Sequence, residues 1–267
     1  IPESGLSYQK IGVCVYLLLV LIGLALTYIK VMKQKSNWYL FRTNGTVYFF
    51  LLVFFCSFNW DMIITTYNIR KYTDEGKELE KYYLLDLSFK NLPELLSLPD
   101  SVASKDDWEA RDYYYELRGT YFTDFKSNLH KKLYDFMLEM KTADWQSICT
   151  EKNRVYKELL AMAPRIKDID LNNYNVVTLG PIRQFTNLEK LNISNGRLKN
   201  LKELYHFKKL QVLNISENDI QNFSPLYQLK NLKELTTGDI PSAELEKLQA
   251  QLPDTKIITY TNSGSSR

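Results

Sequence analysis

The stretch LQVLNISENDI, from Leu210 to Ile220, places apolar side chains at its first, fourth, sixth and eleventh positions. Shifted back by 22 residues, the same places hold Leu188, Leu191, Ile193 and Leu198. Shifted back again, they hold Ile166, Ile169, Leu171 and Val176. Forward, the first, fourth and sixth places hold Leu232, Leu235 and Thr237, the last being the one weak member of its column. Two further columns keep the register: Leu179, Leu201, Phe223 and Leu245 at position 14, and Ile182, Leu204, Leu226 and Leu248 at position 17.

A single unit of this length cannot bury its own apolar face, whereas stacked units share a continuous core. An amphipathic helix would instead repeat its apolar residues near every 3.6 positions. Asn195-Gly196, Glu217-Asn218-Asp219 and Gly238-Asp239 interrupt the pattern at matching places, as turns do. The periodicity therefore predicts one short strand per unit. Pro253 to Thr259, with Ile257 and Thr259 at the fourth and sixth places, is expected to add a last strand.

The pattern resembles the leucine-rich repeat, L-x-x-L-x-L-x-x-N-x-L, in its 22-residue, internalin-like bacterial type. Asn218 occupies the family's ladder position, where an asparagine side chain bonds to exposed backbone. Tyr174, Gly196 and Ile240 stand there in the other units, so the asparagine ladder is mostly missing. The resemblance implies a short α/β leucine-rich-repeat solenoid over residues 165–261, with 262–267 as a flexible tail.

Ile11 to Ile29 is a 19-residue run without a charge, long enough to cross a bilayer as a helix. A second uncharged run of 18 residues lies between Arg42 and Asp61, with Trp38, Tyr39 and Trp60 near its ends, where aromatic rings favour the headgroup level. A signal peptide would stop at about 15 apolar residues and show a cleavage site. Residues 1–70 are thus expected to form a membrane region with spans at about 11–32 and 44–66. Lys30, Lys33, Lys35 and Arg42 in the connection, with no acid among them, place that loop in the cytoplasm and the large C-terminal part outside it. Asp61 reads better as an interfacial anchor or a helix-end carboxylate than as an intramembrane functional group. The chain opens on Ile1, which points to a fragment or a processed product.

SNWYLFRTNG (from Ser36), NWDMIITTYNI (from Asn59) and YYLLDLSFKNLPEL (from Tyr82) resemble the end of a bacterial multi-pass membrane family. That family is domain of unknown function 4173, with its relative 4153. The resemblance spans roughly residues 11–98 and implies an integral envelope protein without assigning an activity.

Residues 71–164 are expected to be a mostly helical linker and N-terminal cap. Leu85, Leu87, Leu92, Leu95 and Leu98 suggest a short strand or loop, then a helical turn from about Pro93. Asp106 to Met140 and Asp144 to Ala163 carry helical spacing, and Pro164 ends the second. This later helix is expected to cover the first repeat. Tyr113-Tyr114-Tyr115 reads as packing and surface, not as a base-stacking platform. The acids from Asp106 to Asp112 read as a helix start, not as a calcium loop.

The net charge is +3, with both signs interleaved, so no basic stripe marks a nucleic-acid site. Cys14 and Cys56 lie in the apolar runs and leave Cys149 without a soluble partner. His130 and His206 match no zinc spacing, and no phosphate loop or nucleophile elbow is present. No catalytic, cofactor-binding or metal-binding residue is expected, no cofactor, and no small-molecule substrate.

In the strands, the third, fifth and seventh positions of each unit face away from the apolar columns. They are mostly small and polar, without the Tyr, Trp and Arg anchors that concentrate binding energy. A solvated face with a structural role and a protein-binding face are both open; for the latter the candidates are Asp170, Lys190, Asn192, Asn214 and Glu234. The expected function is a membrane-anchored envelope protein, not an enzyme, contacting the bilayer and a protein partner. The alternative is the C-terminal part of a multi-pass transporter or envelope enzyme, with the repeats regulatory.

Overall fold

The computed structural model describes residues 5–75, 79–103, 124–143 and 149–260. The chain divides into two compact units, Ile1–Asn91 and Leu92–Arg267. The acidic cluster at Asp106–Asp112, the tyrosines at 113–115, Trp145, Ile148 and the tail 262–267 lie outside the described residues.

The first unit opens with an antiparallel helical hairpin, α1 (Tyr8–Met32) and α2 (Asn37–Cys56). Both helices are long and apolar enough to cross a membrane, and neither holds a buried residue. A core helix of a water-soluble fold would bury a stripe instead. The second of these helices departs from the span expected at 44–66. Ser36 caps α2 by accepting from the Tyr39 N–H at 3.2 Å, so the helix starts earlier and takes in Arg42. It stops at Cys56, and after a break α3 (Trp60–Glu75) begins. Across the break the Trp60 indole donates to the Phe55 carbonyl at 2.7 Å. The connection between the hairpin helices is thus only 33–36, with Lys30 and Arg42 inside the helix ends.

Asp61 sits in the first turn of α3, where a carboxylate suits the helix dipole. It is buried and accepts from the Tyr8 hydroxyl at 2.6 Å and from the Ser88 hydroxyl. Asn68, two turns on, pairs with the backbone of Leu6 in both directions, at 2.6 and 2.8 Å. These bonds tie the start of the hairpin to α3. The helical turn expected from about Pro93 is α5 (Leu92–Leu96), in the second unit, whereas the strand or loop expected before it is helical: α4 (Lys81–Asp86) and a 3-10 turn at Phe89–Asn91. Helical spacing lets Leu84 bury fully in one unit, and Leu92 and Leu95 in the other.

In the second unit, α6 (Asp100–Ala103) is followed by α7 (Phe125–Thr142) and α8 (Thr150–Met162). Five parallel strands follow in sequence order: β1 (Asp168–Asp170), β2 (Lys190–Asn192), β3 (Val212–Asn214), β4 (Glu234–Thr237) and β5 (Lys256–Thr259). Each strand pairs with the one 22 residues on, Ile169 with Leu191, Leu213 with Leu235, Leu235 with Ile257. The apolar columns form the core: Ile169, Leu171, Leu188, Ile193, Leu210 and Leu213 are essentially inaccessible. Thr237, the weak member, is buried in its place.

Behind the sheet, 3-10 turns begin at Gly180, Lys202 and Ser224, again 22 apart. In each, a side chain two residues before the start accepts its backbone N–H: Thr178 at 3.1 Å, Asn200 at 2.8 Å, Asn222 at 2.9 Å. In the fourth unit α9 (Ser242–Gln251) replaces the 3-10 turn. The helix packed on β1 is α7, the earlier of the two, whereas α8 packs on α5. The later helix therefore does not do the covering expected of it.

Candidate protein-interaction face

The register builds the outward face in rows. Asp170, Asn192 and Asn214 stand side by side on β1, β2 and β3. Lys190 and Glu234 fall in a second row, two residues earlier and separated by Val212. The structure thus brings all five candidates to one sheet face. Lys190 is exposed and the other four are half-buried.

The first row has a local task that the sequence does not announce. Asp170, Asn192 and Asn214 each accept, through the side-chain oxygen, the backbone N–H two residues on, at 2.9, 3.1 and 3.1 Å. This Asx turn leads the chain from the strand into the bend. Ser194 adds hydroxyl bonds to Asn192 and to Asn172 of the preceding unit, both at 2.8 Å. The row is therefore pre-ordered, with its oxygens engaged inward on the turns. Partial burial holds the Asp170 carboxyl above its usual range, and the Asn172 N–H works against that shift.

The bend that follows takes the left-handed conformation at the same place in three units: Asn173, Asn195 and Glu217, with φ of 54°, 54° and 55°. The turn is thus kept although the ladder asparagine is not. Asn218 serves two units. Its amide nitrogen lies 2.7 Å from the Ile193 carbonyl and 3.0 Å from that of Ser216, and its oxygen accepts the Leu198 N–H at 2.9 Å. Gly196 makes room for this reach, since a Cβ there would stand 2.7 Å from the Asn218 oxygen. At the first unit's ladder position, Tyr174 turns to α7 and donates to Asp135. Tyr134, also on α7, meets Tyr174 edge to face and donates to the Thr178 carbonyl at 2.8 Å.

Sequence reasoning missed the far end of the face. Carrying the 22-residue register past Leu232 places Lys256, Ile258 and Tyr260 at the third, fifth and seventh positions, and Tyr260 is 62% exposed. The face thus has one aromatic of the kind that anchors interfaces. At the other end Asp168 is paired with Lys126 of α7 at 2.9 Å. Among the described residues no cluster of metal-ligating side chains occurs.

A sheet of parallel strands on a leucine spine, in a chain that also carries an apolar helical hairpin, defines a class: a repeat domain joined to a candidate membrane segment. Comparison with known proteins gives each part a likeness. Residues 3–98 match the family described as Domain of unknown function (DUF4153). The chain is also similar to internalins of Listeria monocytogenes, which are leucine-rich-repeat proteins. Internalin C2 is 24% identical over 40% of this chain and 50% of its own, with a TM-score of 0.32. Another internalin (inlF) is 15% identical over 50% of this chain and 44% of its own, with a TM-score of 0.31. The chain therefore spans half or less of the length of those internalins. No curated protein matches it. Both resemblances read from the sequence, to the membrane family and to the repeats, are found.

Proposed function

We propose that this chain is a membrane-anchored interaction protein. Its 22-residue units form a short solenoid whose outward strand face contacts a partner protein, and its hairpin holds that solenoid at an envelope membrane. The observation that supports this reading most is the register. It collects Asp170, Lys190, Asn192, Asn214 and Glu234 from four strands onto one face, on which the row of Asp170, Asn192 and Asn214 is pre-ordered. Tyr260 and Lys256 extend the face at its far end. The reading assigns no catalytic step to any residue. The positive charge at the hairpin's turn, from Lys30, Lys33, Lys35 and Arg42, argues for an extracytoplasmic repeat domain.

Site-specific photocrosslinking in the membrane-embedded full chain tests the proposal. Probes at Lys190, Glu234 and Lys256 are expected to trap one protein partner, and probes at Lys208 and Gln228, away from the strands, are not. With the probe at Glu234, Lys190→Glu combined with Lys256→Glu, both exposed, should abolish the adduct without changing the amount of folded protein. Adducts of equal yield from both sets of positions, or none from the strand face, would sink the assignment.

A further inference from the structure

The two edges of the sheet are treated differently. Strand β5 pairs only with β4 among the described residues, and Ile257 is half-buried where its column mates Ile169, Leu191, Leu213 and Leu235 are at most 1% exposed. The β1 edge is closed by α7. There His130, 4% exposed, accepts the Asp170 backbone N–H through Nδ1 at 2.9 Å. Edge-strand donors normally face water or another strand, and an imidazole is an unusual substitute. A nitrogen that accepts an N–H carries no proton of its own, so the contact selects the tautomer with the proton on Nε2.

We propose that His130 is a pH-operated clasp, holding α7 on the first strand when neutral and letting go of the Asp170 amide when protonated. Protonation puts a second N–H against the first, replacing an attraction with a repulsion in a buried place. Imidazole is the side chain that changes charge between about pH 5 and 8. The clasp is therefore closed above the histidine range and lost as pH falls through it.

Among the described residues, the elements packed on α7 carry the following charged groups. On α7 itself are Lys126, Lys131, Lys132, Asp135, Glu139 and Lys141, with Asp124 at its cap; on β1 are Asp168 and Asp170, and the 3-10 turn at Gly180–Ile182 carries none. The other elements packed on it add Glu94 of α5 and, on α8, Glu151, Lys152, Arg154, Lys157 and Glu158, with Lys152 paired to Glu139 of α7. Burial holds the Asp135, Asp170 and Glu94 carboxyls above their usual range. A raised carboxyl favours the folded state at low pH and opposes it as pH rises, so these groups act with the opposite sign to the histidine. A loss of the α7 contact on acidification thus cannot be theirs.

Hydrogen exchange of the Asp170 amide in the detergent-solubilised full chain, corrected for intrinsic rate, reads the clasp. Between pH of about 7.5 and 5.5 the wild-type chain should lose roughly tenfold or more in protection. His130→Asn keeps an acceptor at the position of Nδ1 but does not titrate, so protection should hold at both pH values. Histidine-selective NMR, with the His206→Gln chain to assign the two imidazoles, gives the His130 titration in the wild-type chain itself. Loss of Asp170 protection that follows that titration supports the clasp even if the asparagine variant fails to fold. Unchanged wild-type protection, an equal loss in folded His130→Asn, or a loss out of step with the imidazole would overturn it.

Discussion

Asn218 and Gly196 form one device although they stand 22 residues apart. The asparagine reaches back to the Ile193 carbonyl and the Leu198 N–H, and the glycine leaves the space it reaches through. Asn218→Ala would strand both backbone groups and should cost about 2–3 kcal/mol, read as a shift in the urea unfolding midpoint. Gly196→Ala should cost about 1–3 kcal/mol by pushing the same side chain aside, and in the double variant the two losses should fall short of their sum. Glu217 points the other way. Its φ of 55° is one that asparagine tolerates and glutamate does not favour, and asparagine already stands at the two equivalent places. Glu217→Asn should therefore stabilise the repeat region by about 0.5–1 kcal/mol in the same assay. The motif alone located Asn218, but the need for glycine at 196 could not be read there, because the clash is with a residue of the next unit.

At the scale of elements, the first three units are built from the same sequence of parts: strand, Asx turn, left-handed bend, capped 3-10 turn. The caps at Thr178, Asn200 and Asn222 leave a mark in the sequence, a small hydrogen-bonding residue every 22 positions, yet leucine columns draw the eye from it. Asn200→Ala should lower stability by about 1 kcal/mol, measured by thermal unfolding, and more than the same change at a solvent-exposed polar position outside a cap. The second membrane-length helix was misplaced because hydropathy alone cannot see a cap. Ser36 starts the helix before the uncharged run begins, and Asp61, bonded to Tyr8 and Ser88, belongs to the next helix. Similarly, helical periodicity marked both α7 and α8, but which of them covers β1 depends on packing. The pairs that decide it, Tyr134 with Thr178 and His130 with Asp170, join residues about 40 apart in the chain.

At the scale of the whole molecule, the two units differ in the solvent they suit. The hairpin exposes Leu17, Leu21, Leu24, Phe41, Phe49 and Phe50 without burying any residue, whereas the second unit closes its own leucine core. Residues 92–267 expressed alone are therefore expected to stay in solution without detergent and to unfold cooperatively, while the full chain should need detergent. Sedimentation of both forms after membrane extraction checks this, and recovery of the full chain in the soluble fraction would contradict it. What the amino-acid order determined by itself was everything that repeats or runs unbroken: the 22-residue spine, the apolar hairpin, and the alternation that turns Asp170, Lys190, Asn192, Asn214 and Glu234 outward. These follow from periodicity, and periodicity is a local property. Only the tertiary structure decided which helix closes the first strand, that a buried imidazole meets its edge, and that one asparagine serves two units. Each of these rests on a contact between residues far apart in the chain, whose geometry exists only once the units have stacked.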